Sequence, residues 1–438
     1  MNSFNVAKTL HNIGINKLKP MQIEAQKTIL DKENLFLLSP TGSGKTLAFL
    51  IPMIQQLDEK IPSVQTVILS PSRELAIQTE SVFKQLKTGF KSNCCYGGHA
   101  MKIEKNNLLH PPAVLIGTPG RIADHIRNDR IDVRSIKFLI LDEFDKSLEF
   151  GFQKDMEYIM DSLFCLNQKC LVSATEIEEL PSFVKMDNAK TLNYLAEKKE
   201  QKISLKIVDN LPGEEKVDSL IRLLPDLSKE KVIIFFNHQD AVNRISLLLK
   251  EKGIKHTSFH GGLKQDNRER ELTKLRNGSA NILLATDLAA RGIDIPEIKN
   301  IVHYQLPQKE DAFIHRNGRT ARMNQEGTVY LLHDDNGLRE FVPPNLGRIQ
   351  PPTEKGDIEN TEWTTLYIDL GKKNKISKMD IVGVFCKKGG LQKDEIGLIE
   401  VKDFSCFVAV KSFKLDELLA TLRDEKIKNK KLRIRVAD

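Results

Sequence analysis

Residues 34–54 read NLFLLSPTGSGKTLAFLIPMI. The apolar run Leu35 to Leu38 suits a buried parallel strand, and the run from Leu47 to Ile54 has helical length, with small and polar residues between them. Thr41, Gly42, Ser43 and Gly44 let successive backbone N–H groups close around phosphates. Lys45 then reaches the β/γ-phosphates, and the Thr46 hydroxyl can hold Mg²⁺. Ser39 stands where the usual pattern has Gly. A merely flexible turn is the other reading of these small residues. Strand, loop, lysine and helix in that order favour a nucleotide site on an open α/β sheet.

That loop gives meaning to a second stretch, KFLILDEFDKS at residues 137–147. Four apolar residues stop at Asp142 and Glu143, followed by Phe144 and Asp145. On spacing alone this is a solvated strand end as readily as a site. A phosphate-binding loop, however, needs an acid on a neighbouring strand to hold Mg²⁺ and a polar group to orient the attacking water. Asp142 and Glu143 fit those two tasks. Phe144 is predicted to fill space behind the acids.

Working outward, NLFLLS, QTVILS, AVLIGT, KFLILD and CLVSAT alternate with amphipathic stretches such as RELAIQTESVFKQL. This is the βαβ pattern of a parallel sheet covered on both faces. The charged segment AEKKEQK interrupts it, and the alternation resumes with KVIIFFN, HTSFH, NILLATD and NIVHYQL. After FVPPNLGRIQPPTEKGD a third pattern follows, strand, helix, two strands, helix and strand, with Ser377 as a helix N-cap. The expected domains are therefore 1–195, a linker 196–206, 207–342, a linker 343–361, and a βαββαβ module 362–438, the split α+β order of RNA-recognition and ferredoxin-like folds.

The 438 residues exceed one core, and 40% hydrophobic and 29% charged content is that of a soluble chain without an apolar run of membrane length. The start, MNSFNVAKTLHN, lacks a secretory pattern, so a cytoplasmic location is expected; no membrane partner and a monomer are expected as well. Six cysteines form no CxxC pair, and no structural metal is expected. Of the net charge of +7, most sits at the end: from Glu362 onward there are 17 Lys/Arg against 12 Asp/Glu. Lys372, Lys373 and Lys375, with Lys387, Lys388, Lys428, Lys430 and Lys431, could contact a polyanion or be an ordinary solvated face.

Taken together, the motifs resemble those of the DEAD-box RNA helicases along nearly the whole chain. Gln22 in KPMQ, with Phe4 upstream, resembles the adenine-reading motif. PSRELAIQ, YGGH, TPGR and SAT follow in the first α/β region, and FHGGLKQDNRER, ATDLAARGIDIP and HRNGRTAR in the second. The resemblance implies two tandem RecA-like domains, ATP and Mg²⁺ as cofactors, and RNA as partner. It implies that Asp294 contacts the ribose and that Arg319 and Arg322 act as arginine fingers on the γ-phosphate. Arg73, Gly98, Thr118, Arg121, Gln265, Arg268, Thr286 and Arg291 would hold the RNA backbone, while Asp145, Ser173, Thr175 and His315 would couple hydrolysis to domain closure.

The sequence departs from the family at three places: Phe144 and Ala321 replace Ala and Gly, and Gln305 stands where Asp is usual. The last module resembles the RNA-binding domain of the DbpA/YxiN-type helicases, which implies a large-subunit ribosomal RNA target and a role in ribosome assembly. Alternatives are a nucleotide-dependent RNA clamp with little hydrolysis, a helicase acting on other structured RNA or mRNA, or a DNA helicase, which the resemblance alone disfavours.

Overall fold

A computed structural model describes residues 5–40, 42–98, 101–177, 179–186, 188–195, 203–289, 298–321, 326–333, 337–354, 356–359 and 361–437. The chain divides into two compact units with their boundary near residue 200. In the first, Leu35–Leu38 (β1), Thr66–Leu69 (β2), Ser92–Cys95 (β3), Val114–Gly117 (β4), Phe138–Leu141 (β5), Gln168–Ser173 (β6) and Lys190–Asn193 (β7) pair in parallel, in the order β3-β4-β2-β5-β6-β1-β7. β1, β2, β4 and β5 are buried at every position, which is why they read as continuous apolar runs rather than alternations. Two apolar clusters, one on each face, cover this sheet, and each fully buried Leu, Ile or Phe contributes about 1.5–3 kcal/mol.

The second unit repeats the design with Ile203–Val208 (β8), Val232–Phe235 (β9), Thr257–Phe259 (β10), Ile282–Ala285 (β11), Asn300–His303 (β12), Gly327–Leu332 (β13) and Gly347–Ile349 (β14), all parallel, in the order β10-β11-β9-β12-β13-β8-β14. Both segments expected to be linkers carry strands of this sheet: β8 begins within 196–206, and β14 lies within 343–361. β8 is only half-buried along its first part and β14 is three residues long with exposed positions, so neither carries a strong apolar signature.

The terminal module has its own sheet and apolar core. Trp363–Ile368 (β15), Ile396–Val401 (β16), Cys406–Lys411 (β17) and Ile434–Val436 (β20) form an antiparallel sheet in the order β16-β17-β15-β20, with a small ribbon of Lys426–Ile427 (β18) and Lys430–Lys431 (β19). Helices Lys378–Lys387 and Leu415–Thr421 complete the expected βαββαβ order, and Ser377 caps the first, accepting from the Asp380 N–H. The module belongs to the second compact unit. Among the described residues no helix is long and apolar enough to cross a membrane.

Candidate active site

The loop after β1 runs into the helix Lys45–Gln55, whose N-cap Gly44 has φ +101°, a left-handed conformation that favours glycine. A side chain there would also meet Gln22, since a Cβ on Gly44 would lie 2.6 Å from Gln22 Nε2. Gln22 is buried, donates to the Gly44 carbonyl (3.0 Å) and accepts from the Lys19 N–H (2.8 Å). Lys19 Nζ adds a bond to the Ser43 carbonyl at 2.7 Å, a contact the sequence did not suggest. Two residues of KPMQ thus hold the loop in shape. Lys45 is buried, with Nζ donating to the Ser39 carbonyl (2.6 Å), and the Ser39 hydroxyl donates to Ser43 Oγ (2.8 Å), so the serine in place of Gly serves as an internal tie.

In strand order β6 separates β1 from β5, and its last residue, Ser173, accepts the Ser39 N–H at 3.0 Å. The SAT segment therefore sits between the phosphate loop and the acids. The Thr175 hydroxyl donates to Asp145 Oδ2 (3.0 Å), and Ser173 Oγ accepts the Thr175 N–H (3.2 Å). Three of the four expected coupling residues are brought together here. The fourth, His315, is buried in helix Glu310–Asn317 of the second unit.

Asp142 and Glu143 are 3% and 7% exposed. Glu143 has φ +45°, unusual for a residue with a side chain, and opens the helix Phe144–Glu149. Burial and the neighbouring Glu143 charge push the Asp142 carboxyl up to about 7, with Lys45 opposing them. Phe144 is fully buried in the cluster beneath the acids, as expected of a space-filling residue.

The backbone-binding candidates of the first unit gather at the ends of β2, β3 and β4. Arg73 opens helix Arg73–Gln85 and lies against Gly98, where φ is +89° and a Cβ would approach Arg73 Nη1 to 2.8 Å. Thr118 caps helix Pro119–Arg127, which carries Arg121. Sequence reasoning missed the residue that organises them, Glu104. Its buried carboxylate accepts from Arg121 Nε (2.7 Å) and the Tyr96 N–H (3.2 Å) and bonds His125 Nε2 (2.8 Å), joining the YGG turn to the TPGR helix. Burial alone would raise the Glu104 carboxyl, but His125 and Arg121 hold it below its ordinary value.

In the second unit, Gln265 starts helix Gln265–Arg276 and Thr286 follows β11, while Arg268 is buried with Nη2 donating to the Gly261 carbonyl (2.6 Å). Arg319 is 5% exposed. A second residue missed by sequence reasoning is Arg316, which is fully buried. It donates to Asp287 Oδ1 (2.5 Å), the Gln305 carbonyl (2.7 Å) and Asn237 Oδ1 (2.9 Å). The Gln305 departure has a physical account: its side-chain oxygen accepts the Asn237 N–H at 3.0 Å, an acceptor role that needs no charge.

Ala321 has φ +52°, so the residue standing where the family has Gly occupies a glycine-type conformation. A left-handed alanine costs roughly 1–2 kcal/mol, partly offset by glycine's greater unfolded-state entropy. Ala321→Gly is accordingly expected to stabilise the second unit by about 0.5–1 kcal/mol, read as a higher urea midpoint of Trp363 fluorescence. An unchanged midpoint would show that this backbone stores no strain.

Lys372, Lys373 and Lys375 are exposed around a turn of the terminal module. Phe4, Thr41, Arg291, Asp294 and Arg322 lie outside the described residues. Gly42, Ser43 and Thr46 line the loop at its exposed and half-buried positions.

Comparison with known proteins agrees with this geometry. The family described as DEAD/DEAH box helicase matches residues 19–183, the helicase conserved C-terminal domain matches 215–324, and the DbpA RNA binding domain matches 365–436. The chain is 28% identical to the ATP-dependent RNA helicase DbpA of Bacillus subtilis, with 100% of this chain and 98% of that protein aligned. Its identity to the Escherichia coli protein of the same name is 29%, over 98% of this chain and 96% of the other. Among solved structures, Saccharomyces cerevisiae Dbp5 bound to RNA and ADP BeF3 superposes with a TM-score of 0.71 at 27% identity, over 78% of this chain and 93% of that one.

Proposed function

Because the chain belongs to the DEAD-box family of ATP-dependent RNA helicases, we propose that it remodels short duplexes in large-subunit ribosomal RNA during ribosome assembly, as a cytoplasmic monomer. That it binds ATP and RNA and is an ATP-hydrolysing enzyme follows from the family. The observation that carries the finer reading is a basic module of the DbpA type behind two intact α/β units. Such a module would hold a structured RNA while the units act on a neighbouring duplex.

Roles follow from the chemistry of each group. Lys45 and the loop N–H groups offset phosphate charge, and Glu143 orients the attacking water and takes its proton. Arg319, with Arg322, supplies positive charge where it develops in the transition state. Asp145, Ser173, Thr175 and His315 report nucleotide state, with Gln22 and Phe4 on the base and Asp294 on the ribose. Arg73, Gly98, Thr118, Arg121, Gln265, Arg268, Thr286 and Arg291 contact the RNA backbone, giving affinity without sequence preference and a steep salt dependence. Closure on ATP and RNA together would bend one strand so that a short duplex cannot persist.

A divalent cation suits the first unit. Asp142 is a buried hard oxygen donor beside a second acid, its carboxyl raised by burial and by the Glu143 charge, and the Thr46 hydroxyl is the natural second ligand. Mg²⁺ held there would neutralise phosphate charge. Since Asp142 titrates near 7 without it, nucleotide binding with Mg²⁺ is expected to release a proton and to weaken by up to about tenfold per pH unit below pH 7. The sign for stability is opposite to that of a salt-bridged acid. The raised value makes Asp142 ionisation oppose folding of the nucleotide-free chain as pH rises from about 4 towards 7. Magnesium-nucleotide affinity that stays flat from pH 8 to 6 would contradict this.

Steady-state phosphate release with large-subunit ribosomal RNA, poly(U) and DNA tests the reading. Stimulation is expected in that order, strongest first. No stimulation by any of them would favour the clamp, equal stimulation by both RNAs another RNA target, and a preference for DNA the DNA helicase.

A further inference from the structure

In a sheet that binds RNA bases, the face away from the helices must be open. Here that face is occupied. Thr365 and Tyr367 alternate on β15 with the core residues Leu366 and Ile368, so they point to the outer face, opposite Ala409 and Phe407 of β17. Thr365, Ala409 and Phe407 are 2%, 0% and 5% exposed. Lying on this face is the C-terminal end of helix Gln265–Arg276. Arg276 Nη1 donates to Glu400 Oε1 (2.7 Å), and the Thr273 hydroxyl donates to Glu400 Oε2 (3.2 Å). In the turn that follows, Asn277 Nδ2 donates to Thr365 Oγ1 (2.8 Å), and Thr365 donates to Ser279 Oγ (2.7 Å). Gly278 fits beside the indole, where an added Cβ would sit 3.5 Å from Trp363 Cδ1.

The clasp is polar and sequence-specific rather than a loose apolar contact. Lys402 approaches Glu400 Oε2 (3.1 Å) and, from the other side, Glu269 Oε2 (3.8 Å), so charges alternate across the junction. Burial would raise the Glu400 carboxyl, but Arg276 and Lys402 outweigh it and keep the group charged. The helix itself links two functions. Its first turn carries Gln265 and Arg268, assigned above to the RNA strand, and its last turn carries the module, about 18 Å away for a 12-residue helix.

We infer that the terminal module is not a swinging tether but is docked through its outer sheet face on helix Gln265–Arg276, which sets a fixed spacing between RNA held by the module and the strand held by the second α/β sheet. The spacing rests on the proposed RNA roles; the docking does not. While docked, the module presents its lysine-rich turn and ribbon to RNA rather than the buried Phe407.

The test uses the full chain with donor and acceptor dyes on unnatural amino acids at exposed positions 250 and 416. One narrow distance distribution is expected for the parent chain, a broad one for Glu400→Arg, and a narrow one again for Glu400→Arg with Arg276→Glu. Thr365→Val, which keeps the shape and removes the hydroxyl, broadens it to a smaller degree. Glu400→Arg is also expected to raise the KM for large-subunit ribosomal RNA in the ATPase assay about tenfold, with poly(U)-stimulated kcat and KM unchanged and the paired reversal restoring the parent value. A distribution that stays narrow in Glu400→Arg overturns the docking. Broadening with an unchanged ribosomal RNA KM overturns the spacing role. A parent chain that does not prefer ribosomal RNA to poly(U) defeats the substrate reading and with it the spacing role, while the distance distributions decide the docking independently.

Discussion

Glu143→Gln should slow RNA-stimulated ATP hydrolysis by about a hundred- to ten-thousandfold, the range for loss of a positioned base, while changing ATP affinity by less than about threefold. Glutamine keeps the size and a hydrogen-bonding oxygen, so the packed, left-handed backbone at residue 143 stays as it is and only the proton-accepting charge is lost. A thousandfold loss is roughly 4 kcal/mol in the barrier. The neighbouring Phe144 provides the contrast. It faces the core rather than the acids' open side, so Phe144→Leu is expected to lower turnover by less than about tenfold. Phe144→Ala would confuse the comparison, since emptying a fully buried aromatic site destabilises by about 3–5 kcal/mol. Single-turnover hydrolysis with saturating RNA separates the two variants. Equal losses would mean that the aromatic takes part in coupling.

Arg316→Ala is expected to unfold the second α/β sheet first, with a loss of about 2–4 kcal/mol, since each buried acceptor left unpaired costs about 1–3 kcal/mol while the Asp287 carboxylate, 35% exposed, can be rehydrated. Truncation strands Asp287, the Gln305 carbonyl and Asn237, three acceptors from three separate segments, and removes the guanidinium from above the Phe235 ring. His303 would feel it too: burial and Arg316 together push its imidazole down to about 3, so it is neutral in the folded chain. Arg316→Lys should recover less than half of the loss, because one ammonium cannot reach three acceptors in a fork. The single tryptophan, Trp363, lies in the same compact unit and gives the denaturation signal. A loss below about 1 kcal/mol would mean that water replaces the guanidinium and that the network is peripheral.

Arg316 also shows where sequence reading ran out. In HRNGRTAR, His315, Arg319 and Arg322 have roles by resemblance, and Arg316 has none. That Arg316 is fully buried follows from the rotation of helix Glu310–Asn317 against β9 and β12, which the letters do not display. Glu104 was hidden for the same reason. MKIEKNN reads as a solvated helix, and only folding brings the Tyr96 N–H, Arg121 and His125 around one carboxylate. By contrast, the phosphate loop and the two acids were legible because their chemistry is local. Consecutive small residues shape the cradle, and an apolar strand ending in acids presents them at the sheet's edge. Docking of the terminal module was the least legible feature, since Arg276 and Glu400 meet across 124 residues of sequence.

Two of the three departures lose their strangeness in three dimensions. Gln305 keeps the acceptor that its environment requires, and Phe144 fills an apolar space beneath the acids. Ala321 differs, in that it retains the glycine backbone without glycine's freedom. The strain expected there is small beside the effects at Glu143 and Arg316.

The central claim is that ATP and RNA favour the same state of the enzyme, so each must tighten the binding of the other. RNA affinity of the full chain, measured at constant salt with and without a non-hydrolysable ATP analogue and Mg²⁺, reads that coupling directly. The account predicts binding at least about tenfold tighter with the analogue, close to 1.4 kcal/mol of coupling, and no such gain in Lys45→Ala. Equal RNA affinity in the two conditions would contradict it.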